Sequence, residues 1–411
     1  MAELAINGGT PVRSQAYPMW PEQHPDYERA VVEVIRGGLW GGFPEPGPKA
    51  AAFEERFAAY QGARFGVLMS NGTVTMEVAL KALGIGWGDE VIVPALTFSA
   101  TAYAPIAAGA LPVFVDVTPD TWTIDADAIE AAITARTRAI LPVHLGHLMA
   151  DMDRIMEIAS KHGLAVVEDC AHAPGQRWRD KGAGCIGDFG SFSHQSSKIL
   201  TAGEGGSLLT NDERLARLAH SLIDCGRPKD PGEKEYTFGA NYRLGELHAA
   251  LLSVAIGRFP DQQVARAEAG DRFERLVREV PGVRVLERDE RITRWSFYRY
   301  VLAIDPESFA GRTHDAVCDA LEAEGVGAWT GYEPMSNYDL FQPALGRLPV
   351  LVEHADRLDP AGMSFPVAEA AGLRESVYID ENVFRAGASG VDDAVEAIAK
   401  IQRHARELPA N

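Results

Sequence analysis

Between residues 64 and 210, short apolar runs alternate with amphipathic segments of helical length. This alternation is typical of a parallel sheet whose strands are joined by helices that pack on its faces. The apolar runs predict strands at residues 65–69, 90–93, 112–115, 139–143, 165–168, 189–194 and 207–210. The segments between them predict helices at residues 74–83, 125–135 and 151–162. The sequence therefore predicts an α/β fold.

The rest of the chain predicts a second, smaller domain, since 411 residues exceed one ordinary core. Residues 39–48 (LWGGFPEPGP) predict a loop before a helix that starts near Lys49, and GRPKDPGEKEY from Gly226 predicts a polar loop. A long helix at 244–259 then leads to a boundary, with a large domain at 1–259 and a small domain at 260–411. The small domain is expected to hold helices at 262–279, 313–324 and 391–407 and strands at 283–286 and 296–303.

The net charge, the first residues and the cysteine and histidine positions disfavour several classes of function. A formal net charge of −19 disfavours binding to nucleic acid or to an anionic membrane surface. The first twenty residues lack the apolar core of a signal peptide, so we expect a cytoplasmic protein. The four cysteines form no C-x-x-C pair and are expected to be reduced thiols. His144 and His147 are three residues apart, but no suitable third ligand is near them in sequence, so no metal is expected.

Polar residues that follow predicted strands are candidates for a ligand site, because the carboxyl ends of parallel strands face the crevice where ligands bind. Residues 70–73 (SNGT) form a turn before a helix, where free backbone N–H groups and the helix dipole favour a phosphate. An ordinary helix cap is the alternative. Residues 168–172 (EDCAH) end an apolar strand with two acids, and a protonated pyridine nitrogen is one cation that such a carboxylate could meet. A capping or ion-paired aspartate is the alternative.

Two further segments carry a lysine and an arginine. Lys198 lies between the apolar strand FSH and the glycine-rich turn ILTAGEGG, where desolvation would lower its pKa and free the amine for imine formation. A lysine on an exposed loop is the alternative. Residues 241–243 (NYR) offer an amide and a guanidinium to a phosphate or carboxylate, or simply begin a helix. The four segments together indicate one cofactor, pyridoxal phosphate (PLP).

The order and spacing of these motifs resemble the DegT/DnrJ/EryC1/StrS family of PLP-dependent sugar and cyclitol aminotransferases. The resemblance extends from about Leu4 to Ala405. It rests on SNGT (70–73), GDEVIVPALTFSATA (88–102), PVFVDV (112–117), PVHLGHLMADMD (142–153), VEDCAHAPG (167–175), SFSHQSSKILTAGEGG (191–206) and GANYRLGELHAA (239–250). It implies fold type I, which is aspartate-aminotransferase-like, with a large mixed or parallel-sheet domain and a small carboxy-terminal α+β domain.

The resemblance assigns catalytic and ring-binding roles to four residues. Lys198 matches the lysine that holds the cofactor as a Schiff base and then moves a proton. Asp169 matches the partner that keeps the pyridine nitrogen protonated. His172 matches the His or Gln beside the cofactor's phenolic oxygen, and Phe98 matches the aromatic residue that stacks on the ring.

It also assigns the phosphate site. Gly72 and Thr73, with Ser193, match the residues that surround the phosphate. Asn241 matches a residue that reaches the phosphate from the partner subunit. A site completed across an interface implies a homodimer with shared active sites, so a monomer is expected to be inactive.

The expected substrates are an amino donor, glutamate or glutamine, and a nucleotide-linked keto-sugar or a keto-cyclitol, in amino-sugar or antibiotic biosynthesis. Residues 144–153, 225–228 and 376–387 resemble family members that act on keto-cyclitols and on an aminohydroxybenzoate precursor. The usual Tyr-x-Pro-x-His segment appears here as Tyr332 followed by EPMS, at a position expected to border the substrate. His147 is one candidate to replace the missing histidine. Arg243 is the candidate for the donor carboxylate, with a structural ion pair as the alternative.

Two other functions are alternatives to the transfer of an amino group. The first is a PLP-dependent dehydratase or aromatising lyase, but the family's sugar dehydratases replace the lysine that is present here as Lys198. The second is a non-catalytic PLP-binding regulator, which the acidic balance and the lack of a basic patch disfavour.

Overall fold

The computed structural model describes residues 3–229, 232, 234, 236–341 and 347–409. Its helices are α1 Pro25–Gly37, α2 Pro48–Gln61, α3 Gly72–Ala82, α4 Ala100–Ala108, α5 Ala126–Ala132, α6 Met152–His162, α7 Glu213–Ile223, α8 Glu246–Val277, α9 His314–Ala323, α10 Pro349–Glu353, α11 Pro366–Ala370, α12 Glu381–Arg385 and α13 Gly387–Arg403. Its strands are β1 Phe65–Met69, β2 Glu90–Pro94, β3 Leu111–Val115, β4 Thr137–Ile140, β5 Ala165–Asp169, β6 Arg177–Trp178, β7 Lys181–Gly182, β8 Phe189–Ser193, β9 Gly206–Thr210, β10 Val283–Val285, β11 Ile292–Arg294, β12 Arg299–Ile304, β13 Ala328–Trp329 and β14 Ser376–Asp380.

A seven-stranded sheet forms the centre of the molecule, in the order β1-β9-β8-β5-β4-β2-β3. Strand β9 runs antiparallel to both of its neighbours, β1 and β8, whereas the pairs from β8 to β3 are parallel. All seven strands overlap the apolar runs that predicted them, although β4 begins at Thr137 and ends at Ile140 rather than at residue 143. This confirms the α/β class with a mixed, mostly parallel sheet. The sheet brings the carboxyl ends of β5 and β8 side by side, since Asp169 is paired with Ser191.

Two smaller antiparallel sheets complete the fold. One has four strands in the order β10-β12-β14-β13, and the other has three in the order β11-β6-β7. The four-stranded sheet packs with α9 and α12, and α13 packs on α8, α9 and α12, so the carboxy-terminal part has the predicted α+β composition. The amino-terminal segment packs on this part as well: the Glu324 carboxylate accepts hydrogen bonds from the backbone N–H groups of Ala5 and Val12, at 2.9 Å each.

Helix α8 is longer than the sequence predicted. Two helical runs were expected, at 244–259 and 262–279, but the helix continues from Glu246 to Val277 through Pro260. A proline removes one hydrogen bond from the helix. Buried residues on both sides of it, among them Phe259 and Phe273, nevertheless keep α8 packed against the core. The predicted boundary at 259 and 260 therefore falls within one helix, and the division into two domains stays a prediction.

The glycine- and proline-rich loop at 39–48 ends at a fixed contact with α8. The Glu246 carboxylate accepts hydrogen bonds from the backbone N–H groups of Lys49 and Ala50, at 2.8 and 2.9 Å, and so caps α2. A Cβ at Gly47 would lie 2.3 Å from Cδ of Glu246, so a residue with a side chain cannot occupy this position without moving the cap.

Of the polar loop predicted from Gly226, residues 230, 231, 233 and 235 lie outside the described residues.

Helix α4 was not predicted. Its segment, ATAYAPIAA, is apolar on nearly every side and contains Pro105, so it has no helical periodicity to detect. It forms because it is buried against α3 and the sheet.

Among the described residues, no helix combines the length and apolar character needed to cross a membrane.

Candidate active site

A cavity of about 990 Å³ opens at the carboxyl ends of the central strands. It lies between the central sheet and residues of the carboxy-terminal part, among them Tyr298, Arg299 and Tyr332. Eight of the residues predicted from sequence line it: Gly72, Thr73, Phe98, Asp169, His172, Ser193, Lys198 and Tyr332. The sheet therefore brings together segments that are far apart in sequence.

Lys198 is held on a tight turn that follows β8. The Thr201 hydroxyl donates a hydrogen bond to the His194 carbonyl at 2.9 Å, and the Lys198 backbone N–H donates to the Gln195 carbonyl at 2.8 Å. The Trp20 indole N–H donates to the Lys198 carbonyl at 3.1 Å. These bonds fix the backbone from which the lysine side chain enters the cavity.

The Lys198 amine is partly deprotonated near neutral pH. Burial lowers its pKa to about 8, although the Asp169 carboxylate opposes this effect by favouring the charged form. The amine lies 4.1 Å from the centre of the Tyr298 ring. The sequence prediction of a confined lysine with a lowered pKa is therefore matched by the environment of Lys198.

Asp169 ends β5 inside the same cavity. Its Oδ2 accepts a hydrogen bond from the Thr101 hydroxyl at 2.9 Å, and its Oδ1 accepts one from the Ala171 backbone N–H at 3.1 Å. Burial raises the pKa of this carboxyl, while the two hydrogen bonds and the Lys198 charge partly offset the rise. A deeply buried carboxylate that forms no contact ion pair among the described residues fits a ligand that brings its own cation, such as a pyridinium.

Gly72 and Ser193 lie against each other at the amino end of α3. Asn71 caps this helix by accepting a hydrogen bond from the Val74 backbone N–H at 3.0 Å. A Cβ at Gly72 would lie 2.7 Å from Cβ of Ser193, so only glycine permits this approach of α3 to β8. The capping explanation considered from sequence is thus correct for Asn71, and it leaves the Gly72–Thr73 backbone and the Ser193 hydroxyl at the cavity wall.

His172 and Tyr332 form a hydrogen-bonded pair. The Gly146 backbone N–H donates to Nδ1 of His172 at 3.2 Å, so the ring proton is on Nε2, which lies 2.9 Å from the Tyr332 hydroxyl. Burial holds the pKa of His172 well below its usual value and that of Tyr332 well above its usual value. Both groups therefore stay neutral, and the Tyr332 hydroxyl proton is left to donate into the cavity.

Phe98 is 55% exposed although it follows a buried strand. Its ring centre lies 6.0 Å from that of Tyr332 across the cavity wall. An aromatic face open to the cavity is suited to stack on a planar ring.

Three predicted site residues do not line the cavity among the described residues. His147 is fully buried and stacks on Tyr300 with ring centres 4.2 Å apart, and burial lowers its pKa to about 4. Arg243 pairs with Asp224, as the structural alternative supposed. Asn241 is exposed at the protein surface. We therefore withdraw His147 as a substrate ligand, because its ring is enclosed by core side chains.

Several cavity residues were not identified from the sequence. Thr101 does not line the cavity, but its hydroxyl holds the Asp169 carboxylate; it was not identified because α4 was not predicted. Tyr298, Arg299 and Trp329 belong to a region that was interpreted only as strand and helix packing. A signal was present for Arg299, which is the one charged residue in the strand predicted at 296–303.

His144, Glu168 and Cys170 group their ligand atoms within 4.8 Å of one another beside the cavity. The Glu168 carboxylate already accepts hydrogen bonds from the backbone N–H groups of Gly184, Ile186 and Gly187 and lies 3.1 Å from Nε2 of His144. Burial raises the pKa of Cys170 well above its usual value, so it stays a thiol. These contacts give the cluster a structural role, since the Glu168 carboxylate is already bonded to backbone N–H groups and to His144.

The sequence matches one enzyme family. The DegT/DnrJ/EryC1/StrS aminotransferase family matches residues 22–383 of the chain. A protein of Streptoalloteichus tenebrarius, assigned as an L-glutamine:3-amino-2,3-dideoxy-scyllo-inosose aminotransferase, is 43% identical over 418 residues, which cover 99% of both chains. An L-glutamine:2-deoxy-scyllo-inosose aminotransferase of the same organism is 36% identical over 422 residues, again 99% of both chains.

The fold also matches solved structures. The crystal structure of 3-amino-5-hydroxybenzoic acid synthase superposes with a TM-score of 0.84 at 31% sequence identity. The superposition covers 95% of this chain and 100% of that one.

Proposed function

Because this chain belongs to the DegT/DnrJ/EryC1/StrS aminotransferase family and is an aminotransferase, we propose that it uses PLP to move the amino group of L-glutamine to the ketone of a cyclitol. The observation that carries the proposal is the position of Lys198 and Asp169 in one cavity, the first with a lowered pKa and the second buried without an ion-pair partner in contact with it among the described residues. The relatives' names support the two substrates, and we propose amino-sugar or antibiotic biosynthesis as the pathway.

The residues present fit PLP. Lys198 would hold the cofactor through its amine, and Asp169 would face the ring nitrogen. The Gly72–Thr73 turn and the Ser193 hydroxyl would hold the phosphate at the amino end of α3. Phe98 would cover one face of the ring.

When bound, PLP supplies an electron sink for the carbon from which a proton is removed. The protein's own residues do the rest. A neutral Lys198 amine takes a proton at Nζ and returns it, and its pKa near 8 lets it do both near neutral pH. Tyr332 offers a hydrogen bond to a ligand oxygen, because the His172 Nε2–H occupies an acceptor position on its hydroxyl and leaves the tyrosine proton free.

The substrate proposal is tested with a panel of ketones. Purified protein with PLP and L-glutamine is given keto-cyclitols such as 2-deoxy-scyllo-inosose and its 3-amino derivative, nucleotide-linked keto-sugars and simple α-keto acids. We expect an aminocyclitol product. Amination of nucleotide-linked sugars alone, or of simple α-keto acids alone, would contradict the cyclitol assignment.

The aromatising activity remains a second candidate, because the superposed crystal structure is that of 3-amino-5-hydroxybenzoic acid synthase. It predicts a product with aromatic ultraviolet absorbance and no net consumption of an amino donor. Aminotransfer instead predicts one keto acid released from glutamine per aminated product. Measuring both products in one reaction separates the two.

We also propose that the active unit is a homodimer. Asn241, expected to reach a partner's phosphate, is exposed near Phe238, which is 95% exposed. Leu39, Trp40 and Phe43 are also exposed and apolar, and Arg227 packs on the Phe43 ring. Exposed apolar groups of this kind favour a protein partner. Analytical ultracentrifugation should give a dimer, and Phe238→Asp should shift it towards monomer and reduce activity in parallel; an active monomer would contradict the shared site.

The pKa of Lys198 gives a pH prediction. Its lowered pKa means that the neutral amine becomes the main form above about pH 8 rather than above 10.5. We expect the rate of covalent PLP attachment to the apoprotein to rise with pH and to level off above about 8. Stopped-flow absorbance from pH 6 to 10 measures it. A rate that still rises tenfold per pH unit between about 9 and 10 would mean that the pKa of Lys198 is not lowered.

The contact between Gly72 and Ser193 gives a second prediction. In Gly72→Ala, the new Cβ must displace Ser193 of β8, since it would lie 2.7 Å from its Cβ and 3.1 Å from its Cα. The phosphate turn then shifts, and we expect the dissociation constant for PLP to rise at least about tenfold. Equilibrium dialysis measures it. Gly37→Ala is the control, because a Cβ there meets no atom within 4 Å; equal effects of the two substitutions would refute the explanation.

A further inference from the structure

Arg299 is the one arginine that lines the cavity in the described part of the chain. It begins β12, which pairs with β14, and its side chain is 22% exposed. Among the described residues, Lys198 is the other arginine or lysine that lines the cavity. Its pKa near 8 leaves its amine partly neutral. Arg299 is therefore the fixed positive charge of the cavity.

The surroundings of Arg299 leave one edge of its guanidinium free. Its Nε lies 3.0 Å from Oδ1 of Asp380. The Trp329 and Tyr298 rings lie against the guanidinium, with their centres 4.9 and 5.3 Å from Cζ. Neither Nη1 nor Nη2 has a hydrogen-bond partner among the described residues. The edge formed by these two nitrogens matches the two oxygens of a carboxylate.

The free edge belongs to the same site as Lys198. Nζ of Lys198 lies 4.1 Å from the centre of the Tyr298 ring and Cζ of Arg299 lies 5.3 Å from it, so both groups lie around one aromatic ring. The Arg299 charge also lowers the pKa values of Lys198 and His172. An α-amino acid whose amino group is close to Lys198 would carry its carboxylate towards Arg299.

The chemistry of the two substrates decides which one uses this edge. L-Glutamine has a carboxylate beside its reacting amine, whereas the keto-cyclitols in the relatives' names have hydroxyl or amino groups and no anionic group. We propose that Arg299 binds the α-carboxylate of the amino donor and that Asp380 and Trp329 hold its guanidinium in place. This inference rests on the proposed function, since it takes glutamine as the donor. It replaces Arg243 in that role, because Arg243 is paired with Asp224 outside the cavity.

The test measures binding rather than turnover. The probe is 4-carbamoylbutanoate, which is glutamine without its amino group, and the comparison ligand is pentanediamide, which has an amide in place of the carboxylate. Isothermal titration with the PLP-loaded protein gives both affinities. We expect Arg299→Gln to weaken the binding of 4-carbamoylbutanoate about 10- to 100-fold and to change the affinity for pentanediamide by no more than about twofold. The affinity of Arg299→Lys for 4-carbamoylbutanoate should lie between those of the wild type and of Arg299→Gln.

Arg288→Gln is the matched control. Arg288 is also 22% exposed, packs on a tryptophan with Cζ 3.9 Å from the Trp295 ring and pairs with Asp271, but it does not line the cavity. It should leave both affinities unchanged. The inference would be overturned if Arg299→Gln bound 4-carbamoylbutanoate as tightly as the wild type, or if it lost affinity for both ligands equally. It would also be overturned if Arg243→Gln, instead of Arg299→Gln, lost affinity for 4-carbamoylbutanoate.

A kinetic measurement separates this inference from the proposed function. In steady state, Arg299→Gln should raise KM for L-glutamine and leave KM for the keto-cyclitol within about twofold. Equal changes in both would overturn the role in donor binding. If no ketone is aminated by the wild type while carbamoylbutanoate binding still depends on Arg299, the proposed acceptor is wrong and the carboxylate site stands.

Discussion

Replacing Lys198 with alanine is expected to lower kcat by at least about 10⁴-fold, the largest effect of any single substitution in this chain. The variant loses both the covalent attachment of PLP and the amine that moves the proton, and no other lysine lines the cavity among the described residues. Keto-acid release from L-glutamine measures the activity, and absorbance in the visible range reports the lysine-bound cofactor. Both signals should disappear together.

Lys181→Ala is the control for this experiment, because Lys181 is exposed on β7 and away from the cavity. It should keep the activity and the visible absorbance of the wild type. A Lys198→Ala protein that is folded and still turns over at more than about one hundredth of the wild-type rate would refute the assignment of Lys198.

Replacing Asp169 with asparagine is expected to lower kcat about 10²- to 10³-fold. Asparagine has nearly the same shape, but it lacks the charge that would face a pyridinium, so the loss is electrostatic. Thr101→Val is the comparison, since it removes the hydrogen bond to Oδ2 and leaves the charge. We expect a loss of about tenfold or less there. Equal losses in the two variants would mean that Asp169 acts through packing.

Two further readouts identify the charge as the cause. The Asp169 carboxylate raises the pKa of Lys198, so in Asp169→Asn the plateau of PLP attachment should begin below pH 8. Burial raises the pKa of Asp169, so the native apoprotein loses stability as pH rises from the unfolded value of 3.8 to the raised folded value. Asparagine removes this cost, and apo Asp169→Asn should melt at a higher temperature than wild type at neutral pH.

Much of the site could be predicted because it depends on strand ends. Asp169 ends one predicted strand and Lys198 lies on the turn after another, and a parallel sheet places such positions along one edge. Gly72 was predicted for a phosphate turn, and its contact with Ser193 gives the reason for glycine at this position. In these cases a local pattern determined the position of the residue in the fold.

Other parts depended on packing that no local pattern describes. Helix α4 has no polar face, so Thr101 could not be placed beside Asp169 from sequence. Helix α8 continues through Pro260 because its buried residues on both sides contact the core. His147 was a reasonable polar candidate, but it is buried against Tyr300. Arg299 reaches the cavity only because the four-stranded sheet packs against the loops that follow β2 and β4, a relation between distant segments.

We expect this chain to take an amino group from L-glutamine at Lys198 and Asp169. The most direct test is a single half-reaction: PLP-loaded protein is mixed with excess L-glutamine in the absence of any ketone, and the keto acid is quantified. We expect release of one keto acid per active site, loss of the visible absorbance, and recovery of that absorbance when a keto-cyclitol is added. No keto acid from glutamine, or steady release without an acceptor, would contradict it.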